Sequence, residues 1–332
     1  MIPVSIVTGF LGSGKTTLIA RLLRDPAFGR TAIIVNEFGE VGLDHDLIAS
    51  SNETFTTLTT GCLCCAVRSD LVETLLELAA RRSAGSAAYD RVLVETSGLA
   101  DPAPILHALM TDAAVMVDHV IDTVATVTDP LFGEATLDRH PEARRQAALA
   151  DLLIISKTDI SPAADTLIGR LDALNPTARR TTSHAVTPAM LFAGGDATMR
   201  ADRMTRLPDR RPTAPFAAAR HTDDIMTFTL LRDRPLPALA LTLLLQALAE
   251  HCGPRLLRVK GLLAIEEMPG RPALVHGVQH VFAPPDFLPA WPTEDRTSRL
   301  VFIARGVPRH FPSRLLAAIE AEVREELSAS RP

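Results

Sequence analysis

The ten residues TGFLGSGKTT, positions 8–17, contain the pattern G-x-x-x-x-G-K-[ST]. They follow the apolar run Val4–Val7 and precede a helix-like segment that starts at Lys15, which is the strand–loop–helix context in which this pattern binds phosphate. The glycines allow backbone N–H groups to turn inward around phosphate oxygens, and the helix N-terminus adds partial positive charge. The pattern therefore predicts a nucleotide site whose binding residues are Gly9, Gly12, Ser13, Gly14, Lys15, Thr16 and Thr17.

Lys15 and Thr16 are the two residues of this loop with predicted roles in catalysis. We expect Lys15 to reach the β- and γ-phosphates and the Thr16 hydroxyl to be a ligand of Mg²⁺. The alternative is a chance glycine-rich turn, which the flanking strand and helix disfavour.

The remainder of the N-terminal half alternates short apolar runs with helix-like segments. The runs are continuous, as expected for parallel strands that are covered on both faces: Val4–Val7, Ala32–Val35, Val92–Val94, Val120–Val127 and Leu152–Ile155. The helix candidates are Lys15–Leu23, Asp70–Arg81, Glu142–Leu149 and Ala163–Leu174. This order predicts a doubly wound, mostly parallel α/β domain with its ligand at the carboxyl ends of the strands.

The domain organisation follows from a change of composition after residue 192. Residues 193–220 are rich in Arg, Asp, Pro and Gly and are predicted to form a linker or surface loop. Residues 1–192 are the predicted nucleotide domain and residues 221–332 a smaller α+β domain. Its predicted elements are a strand at Ile225–Leu231, a helix at Leu236–Ala249, strands near Leu256–Ile265, Ala273–Phe282 and Leu300–Ala304, and a final helix from Pro312.

The totals exclude several functional classes. The chain has 332 residues and a net charge of −5, which argues against nucleic acid as a partner. No apolar run reaches the roughly 20 residues that a membrane span needs, so no membrane association is predicted. The N-terminus shows neither a basic region nor a cleavage site of the secretory type, and we expect a cytoplasmic protein.

A second motif is the strand RVLVE followed by TSG, residues 91–98. An apolar strand that ends in an acid after a phosphate loop resembles a Walker B element, here with Glu in place of Asp. Glu95 is predicted to hold Mg²⁺, and the Gly98 N–H is predicted to sense the γ-phosphate. The alternative is a strand that ends in a solvated glutamate.

A third motif, Ser156-Lys157-Thr158-Asp159, follows the strand Leu152–Ile155. It resembles the guanine-specificity element N-K-x-D of GTPases, with Ser in place of Asn, a change expected to tie the loop down less. A carboxylate at Asp159 can accept hydrogen bonds from guanine N1–H and N2–H₂, and adenine has no matching pair of donors. The chain has only three lysines, Lys15, Lys157 and Lys260, and two of them occupy motif positions that call for lysine. We therefore predict GTP instead of ATP, with Ser156, Lys157 and Asp159 at the base.

Three of the four cysteines form the cluster C-x-C-C at Cys62, Cys64 and Cys65. Three adjacent thiolates can chelate a borderline ion such as Zn²⁺, which needs a fourth ligand for a tetrahedral shell. The nearby Glu37 and Glu40 are candidates for an oxygen ligand or for orienting the attacking water, and the spacing does not separate these roles. The alternatives are a redox dithiol, which normally has the spacing C-x-x-C, and buried structural cysteines, as expected for the lone Cys252.

Together these motifs resemble the CobW family of metal-handling P-loop GTPases. The likeness rests on TGFLGSGKTT (8–17), NEFGEVGLD (36–44), GCLCC (61–65), ETSGLADP (95–102) and SKTD (156–159), and it continues more weakly to HGVQH (276–280). The resemblance implies a GTPase that binds Zn²⁺ or a similar divalent ion at the cysteines and passes it to a client metalloprotein. A nucleotide- or metal-dependent dimer is also an expected state.

Two other functional classes stay open at this point. One is a P-loop kinase or ATPase in which the cysteines are incidental. The other is a zinc sensor that binds nucleotide without efficient turnover. The chain has no histidine-rich stretch of the kind many family members carry, which argues against metal storage.

Overall fold

The computed structural model describes residues 1–35, 55–57, 65–162, 165–192 and 225–329. The chain divides into two compact units, one of residues 1–172 and 178–195 and the other of residues 173–177 and 196–332. The linker predicted at residues 193–220 lies outside the described residues.

The first unit is built on a sheet of seven strands within the described residues. The strands are β1 (Ile2–Thr8), β2 (Thr31–Val35), β3 (Phe55–Thr57), β4 (Arg91–Glu95), β5 (His119–Thr128), β6 (Leu152–Ile155) and β7 (Arg179–Thr182). They lie in the order β3-β2-β4-β1-β5-β6-β7, and every pair is parallel. The predicted doubly wound α/β class is confirmed, and the described sheet is wholly parallel.

The first seven described helices connect the strands of this sheet, and the eighth follows β7. They are α1 (Lys15–Leu22), α2 (Cys65–Ser83), α3 (Ala103–Thr111), α4 (Val115–Asp118), α5 (Gly133–Arg139), α6 (Pro141–Leu149), α7 (Asp165–Leu174) and α8 (Pro188–Leu191). On α1, Leu18, Ile19 and Leu22 are buried and share a core cluster with the strand residues Val7 and Ile33.

All five strands and all four helices predicted for this unit are present. Their ends lie within a few residues of the predicted ends, except for the start of one helix. Helix α2 begins at Cys65 and not at Asp70. Strand β7 was not predicted because its four residues, RRTT, contain no apolar side chain and alternate between half-buried and exposed. Strand β3 has only three residues. Strands β3 and β7 are the two edge strands of the sheet, where a continuous apolar run is not required.

The second unit contains a six-stranded sheet in the described residues. Its strands are β8 (Ile225–Arg232), β9 (Leu256–Leu263), β10 (Ala273–Val278), β11 (Val281–Phe282), β12 (Asp286–Phe287) and β13 (Ser298–Arg305). They pair antiparallel in the order β11-β10-β9-β13-β8, with β12 on β10. Two helices, α9 (Ala238–Cys252) and α10 (Phe311–Ala329), accompany this sheet, so the predicted α+β class is confirmed.

The core of the second unit joins one sheet face to both helices. Leu244 and Leu248 of α9, Val323 of α10 and Phe302 of β13 belong to one buried cluster. The strand predicted at Ala273–Phe282 is in fact the hairpin β10–β11. Its chain reverses at Gln279, whose φ of 54° is in the left-handed region.

Strand β1 lies at the point where the order of the parallel sheet reverses, because the chain runs outward from it first to the β2 side and later to the β5 side. Ligands of open α/β sheets bind outside the carboxyl ends of the strands at this point. The loops after β1, β4 and β6 therefore define the candidate site. None of the helices in the described ranges is long and apolar enough to cross a membrane.

Candidate nucleotide site

The loop from Gly9 to Gly14 connects the end of β1 to the start of α1. Gly9, Gly12 and Gly14 have positive φ angles of 142°, 71° and 92°, a conformation that lets successive N–H groups face one concave surface. A Cβ atom on Gly9 would lie 2.3 Å from the carbonyl oxygen of Val127. The loop can therefore pass this close to β5 only with glycine at that position.

Lys15 is buried at the first position of α1, and its side chain turns back into the loop. Its Nζ donates hydrogen bonds to the carbonyl oxygens of Gly9 at 2.9 Å and Phe10 at 3.3 Å. The ammonium group is thus held inside the loop, where phosphate oxygens would be bound. Thr17, in the same first turn of α1, is exposed.

Thr16 and Glu95 come together across the β1–β4 pair. The Thr16 hydroxyl donates a hydrogen bond to Glu95 Oε1 at 2.8 Å. The parallel register that aligns Val7 with Glu95 brings the end of β4 beside the loop, and Glu95 is completely buried. A hydroxyl and a carboxylate are the hard oxygen donors that Mg²⁺ prefers, so this pair suits that ion.

Gly98 lies against the phosphate loop. A Cβ atom on Gly98 would be 2.7 Å from the backbone nitrogen of Leu11 and 2.8 Å from its Cα. Contact this close is open only to glycine. The segment after Glu95 therefore packs directly on the loop that would hold the β- and γ-phosphates.

Ser156 and Lys157 both contact the phosphate loop. The Ser156 hydroxyl donates to the carbonyl oxygen of Ser13 at 2.6 Å, and Lys157 Nζ donates to that of Gly12 at 2.6 Å. Lys157 has a φ of 51°, uncommon for a residue with a side chain. The Ser156 hydroxyl thus connects this loop to the phosphate loop, and the expectation that serine holds the loop less firmly than asparagine stays a prediction.

Asp159 stands apart from these contacts, at the exposed end of the same loop. Its carboxylate is 64% exposed and lies 3.9 Å from His184 Nε2. An exposed carboxylate at the mouth of the site is available to a ligand that arrives from solvent. The geometry is compatible with reading a base, which is the role predicted from the sequence.

Two buried residues of this region carry no motif and were not predicted. Asp129 follows β5, accepts hydrogen bonds from the backbone N–H groups of Leu131 and Phe132, and lies 3.9 Å from Lys157 Nζ. Gln146 on α6 is completely buried, and its Nε2 donates to the carbonyl oxygens of Gly98 and Ala100. Neither stands next to a motif in the sequence, so only the three-dimensional structure connects them to the site.

The predicted metal-binding residues lie mostly outside the described residues. Glu37, Glu40, Cys62 and Cys64 are outside them, and Cys65 is described only as the first residue of α2. The lone Cys252 is buried in the core of the second unit, and burial raises the pKa of its thiol while Arg255 opposes the shift. An inert structural role for Cys252 agrees with that environment.

Two protein families match this chain in sequence. Residues 3–182 match the nucleotide-binding domain described as CobW/HypB/UreG, and residues 225–321 match the cobalamin synthesis protein CobW C-terminal domain. The chain belongs to the CobW/HypB/UreG family. The resemblance identified from the motifs is therefore confirmed, over both units of the chain.

Two similar proteins match this chain over more than nine-tenths of both sequences. The chain is 30% identical over 308 residues to the zinc chaperone YjiA of Escherichia coli K12, covering 92% of this chain and 95% of that protein. It is 32% identical to the zinc chaperone CobW of Pseudomonas aeruginosa PAO1 over an alignment of 372 positions, gaps included. That alignment covers 98% of this chain and 92% of that protein. A crystal structure of Zn(II)-bound YjiA GTPase from E. coli aligns with a TM-score of 0.74 at 24% identity, covering 96% and 98% of the two chains. That likeness shows that the two chains share a fold.

Proposed function

We propose that this chain is a GTP-hydrolysing metallochaperone. It converts GTP and water to GDP and phosphate, binds Zn(II) or a similar divalent metal at the loop of Cys62, Cys64 and Cys65, and transfers the metal to a client protein. The observation that carries the GTPase part is the convergence of two lysines on one loop. Lys15 donates to the Gly9 carbonyl and Lys157 to the Gly12 carbonyl, and they are two of the three lysines in the chain.

Guanine recognition is assigned to the loop after β6. Lys157 is fixed at the phosphate loop, so its aliphatic stem can lie along the plane of a base while Asp159 remains exposed to accept from guanine. Ser156 sets the distance between base and phosphates through its bond to Ser13. ATP lacks the donors that Asp159 requires, which excludes a kinase or ATPase in this proposal.

Hydrolysis is assigned to the residues around the γ-phosphate. Thr16 and Glu95 would hold Mg²⁺, which neutralises charge on the phosphate oxygens when it is bound. Lys15 stabilises the β- and γ-phosphates from inside the loop, and the Gly98 N–H contacts the γ-phosphate. Glu37 or Glu40 remains the candidate for orienting the water or for adding an oxygen ligand to the transported metal.

Support for the metal part comes from the cysteine pattern and from the relatives. Three clustered thiolates favour Zn²⁺, and the E. coli and P. aeruginosa relatives are both named zinc chaperones. The cluster lies in sequence between the phosphate loop and β4. We infer that GTP orders this segment into chelating geometry and that hydrolysis relaxes it and releases the metal.

The first experiment compares hydrolysis of GTP and ATP by the full chain with Mg²⁺. The proposal expects turnover of GTP and none of ATP. Single-turnover hydrolysis with and without Zn²⁺ then separates a working GTPase from a zinc sensor. A protein that binds GTP but does not cleave it under either condition would be the sensor.

The second experiment counts bound zinc with the GTP analogue GMPPNP present. The wild type should bind one Zn²⁺ per chain, and the triple variant Cys62→Ser, Cys64→Ser, Cys65→Ser should bind none. Cys252→Ser is the matched control, because that cysteine is buried in the other unit, and it should keep full stoichiometry. Equal zinc content in the triple variant and the wild type would contradict the assigned site.

The client is a metalloprotein, and we infer that the two meet in the cytoplasm. A pull-down with zinc and GMPPNP, compared with one in GDP, should enrich the client in the first state. Sedimentation in the same two states tests the nucleotide- or metal-dependent dimer. Nucleic acid and membranes are not among the proposed partners.

A further inference from the structure

We propose that Gln146 is a positioning residue for GTP hydrolysis, acting through the segment that follows Glu95. Its Nε2 donates hydrogen bonds to the carbonyl oxygens of Gly98 at 3.1 Å and Ala100 at 3.0 Å. Gln146 is completely buried, so water does not compete for these two bonds. The inference rests on the proposed function, because it gives Gln146 a role only if Gly98 faces the γ-phosphate.

The position of Gly98 needs an external restraint because glycine has little conformational preference of its own. Its N–H is the group assigned to the γ-phosphate, and its carbonyl belongs to the next peptide unit. A bond from Gln146 to that carbonyl restricts the backbone on the far side of the same Cα. The close contact between Gly98 and Leu11 leaves little room for a second arrangement.

Gln146 is itself held in place by neighbouring elements. Thr126 on β5 donates its hydroxyl to the backbone carbonyl of Gln146 at 2.7 Å. The preceding residue, Arg145, lies 3.6 Å from the carboxylate of Asp101 on the same segment. Helix α6 therefore contacts the segment through two consecutive side chains. It ends three residues before β6, which carries the guanine loop.

Gln146 also shares a small cavity with the phosphate loop, lined among others by Ser13 and Thr128. Gln146 Oε1 and Ser13 Oγ are buried, and neither has a hydrogen-bond partner within the described part of the chain. A buried water commonly bridges such atoms when both line one cavity. A bridge of this kind would join Gln146 to the phosphate loop as well as to Gly98.

The test is a comparison of kcat with nucleotide affinity in Gln146→Met, which keeps the side-chain length and removes both donors. We expect kcat for GTP to fall about tenfold, equivalent to about 1.4 kcal/mol of activation free energy. The Kd for GDP should change less than about twofold, since GDP has no γ-phosphate. Gln246→Met, on an exposed position of α9, is the matched control and should match the wild type in both.

Three outcomes would overturn the inference. If Gln146→Met keeps the wild-type kcat, the residue does not position the segment. If kcat, GDP affinity and thermal stability all fall together, the residue only supports the fold. If the wild type itself cleaves no GTP, the proposed function fails and takes this inference with it, and that result is distinct from the first two.

A second variant keeps the test decisive if the methionine variant does not fold. Gln146→Glu places a carboxyl against the two carbonyl oxygens, where only its protonated form can donate a hydrogen bond. Its kcat relative to the wild type should therefore rise as the pH is lowered from 8 to 6. A flat ratio across this range would contradict the positioning role. A melting temperature that rises in parallel with kcat as the pH falls would point to packing instead, because a buried carboxylate also destabilises the fold.

Discussion

The Ser156 hydroxyl donates a 2.6 Å hydrogen bond to the carbonyl oxygen of Ser13. It joins the loop proposed to read the base to the loop proposed to hold the phosphates. Both partners are buried, so the bond is shielded from water. One hydroxyl in the serine position of SKTD thus connects these two loops directly.

Ser156→Ala should weaken nucleotide binding. It leaves the Ser13 carbonyl buried without this donor, at a cost of about 1 kcal/mol or more, and we expect GDP affinity to fall by about fivefold or more. Fluorescence titration with a labelled GDP measures it. Ser161→Ala is the control, since among the described residues its hydroxyl donates only to the Pro162 carbonyl, at 3.4 Å. Equal GDP affinity in the wild type and Ser156→Ala would show that the Ser156–Ser13 hydrogen bond does not contribute to nucleotide binding.

Asp159→Asn should abolish the preference for guanine. The amide replaces one of the two acceptor oxygens by a donor, and hydrogen bonds to a charged acceptor contribute roughly 1.5–3 kcal/mol each. We expect GDP affinity to fall by roughly a hundredfold and the weak affinity for ADP to stay the same, both measured by calorimetry. Asp165→Asn removes the same charge from an exposed position on α7 and should leave GDP binding intact. An unchanged ratio of GDP to ADP affinity would favour the ATPase alternative.

Gly98→Ala should impair hydrolysis through a steric effect. The new Cβ would lie 2.7 Å from the Leu11 nitrogen, so the segment must move away from the phosphate loop. We expect kcat to fall by roughly tenfold to a hundredfold, as for loss of a supporting contact in a catalytic site. Gly169→Ala has nothing within 4 Å of its new Cβ and, inside α7, should raise stability by about 0.5–1 kcal/mol. Normal turnover in Gly98→Ala would exclude Gly98 from the site.

The elements with strong local patterns are the ones that the sequence predicts well. Strands such as β1 and β6 are buried on both faces, and burial forces a continuous apolar run. The phosphate loop and SKTD are predicted because their chemistry requires particular residues at short spacing. Strand β7 is not predicted, because its residues RRTT form an edge strand, which needs no continuous apolar run.

The site contacts that the sequence does not predict join residues that are far apart in the chain. Gln146 meets Gly98 across 48 positions, and Ser156 meets Ser13 across 143. Their neighbours in sequence give no indication of either contact. Helix α3 is not predicted from the sequence for a different reason. Its buried residues include Ile105, Leu106, Ala108 and Leu109, so it lacks the amphipathic period that marks a surface helix.

Stability should decrease as the pH falls below about 6.5 because of His119. Burial at the start of β5 is the main cause that lowers the pKa of His119, and Asp118 opposes it. The unfolded chain then binds a proton that the folded chain resists, so stability is full above the unfolded pKa and is lost below it. The slope from one such group is at most about 1.4 kcal/mol per pH unit.

His119→Gln should reduce this loss. We expect its melting temperature to change less between pH 7.5 and 5.5 than that of the wild type, measured by thermal denaturation at both pH values. His251→Gln, at an exposed position, is the control and should follow the wild type. If His119→Gln and the wild type lose the same number of degrees, another group controls the acid sensitivity.

The central claim is that the guanine nucleotide controls metal affinity, and linkage makes the two effects reciprocal at equilibrium. The most direct measurement is the Zn²⁺ dissociation constant of the full chain, determined by competition with a chelator, in GMPPNP, in GDP and without nucleotide. The account predicts zinc binding at least about tenfold tighter with GMPPNP than with GDP, which is about 1.4 kcal/mol of coupling. Linkage also requires zinc to tighten GMPPNP binding by the factor by which GMPPNP tightens zinc binding relative to the nucleotide-free chain. Equal zinc affinity in all three states would contradict the account.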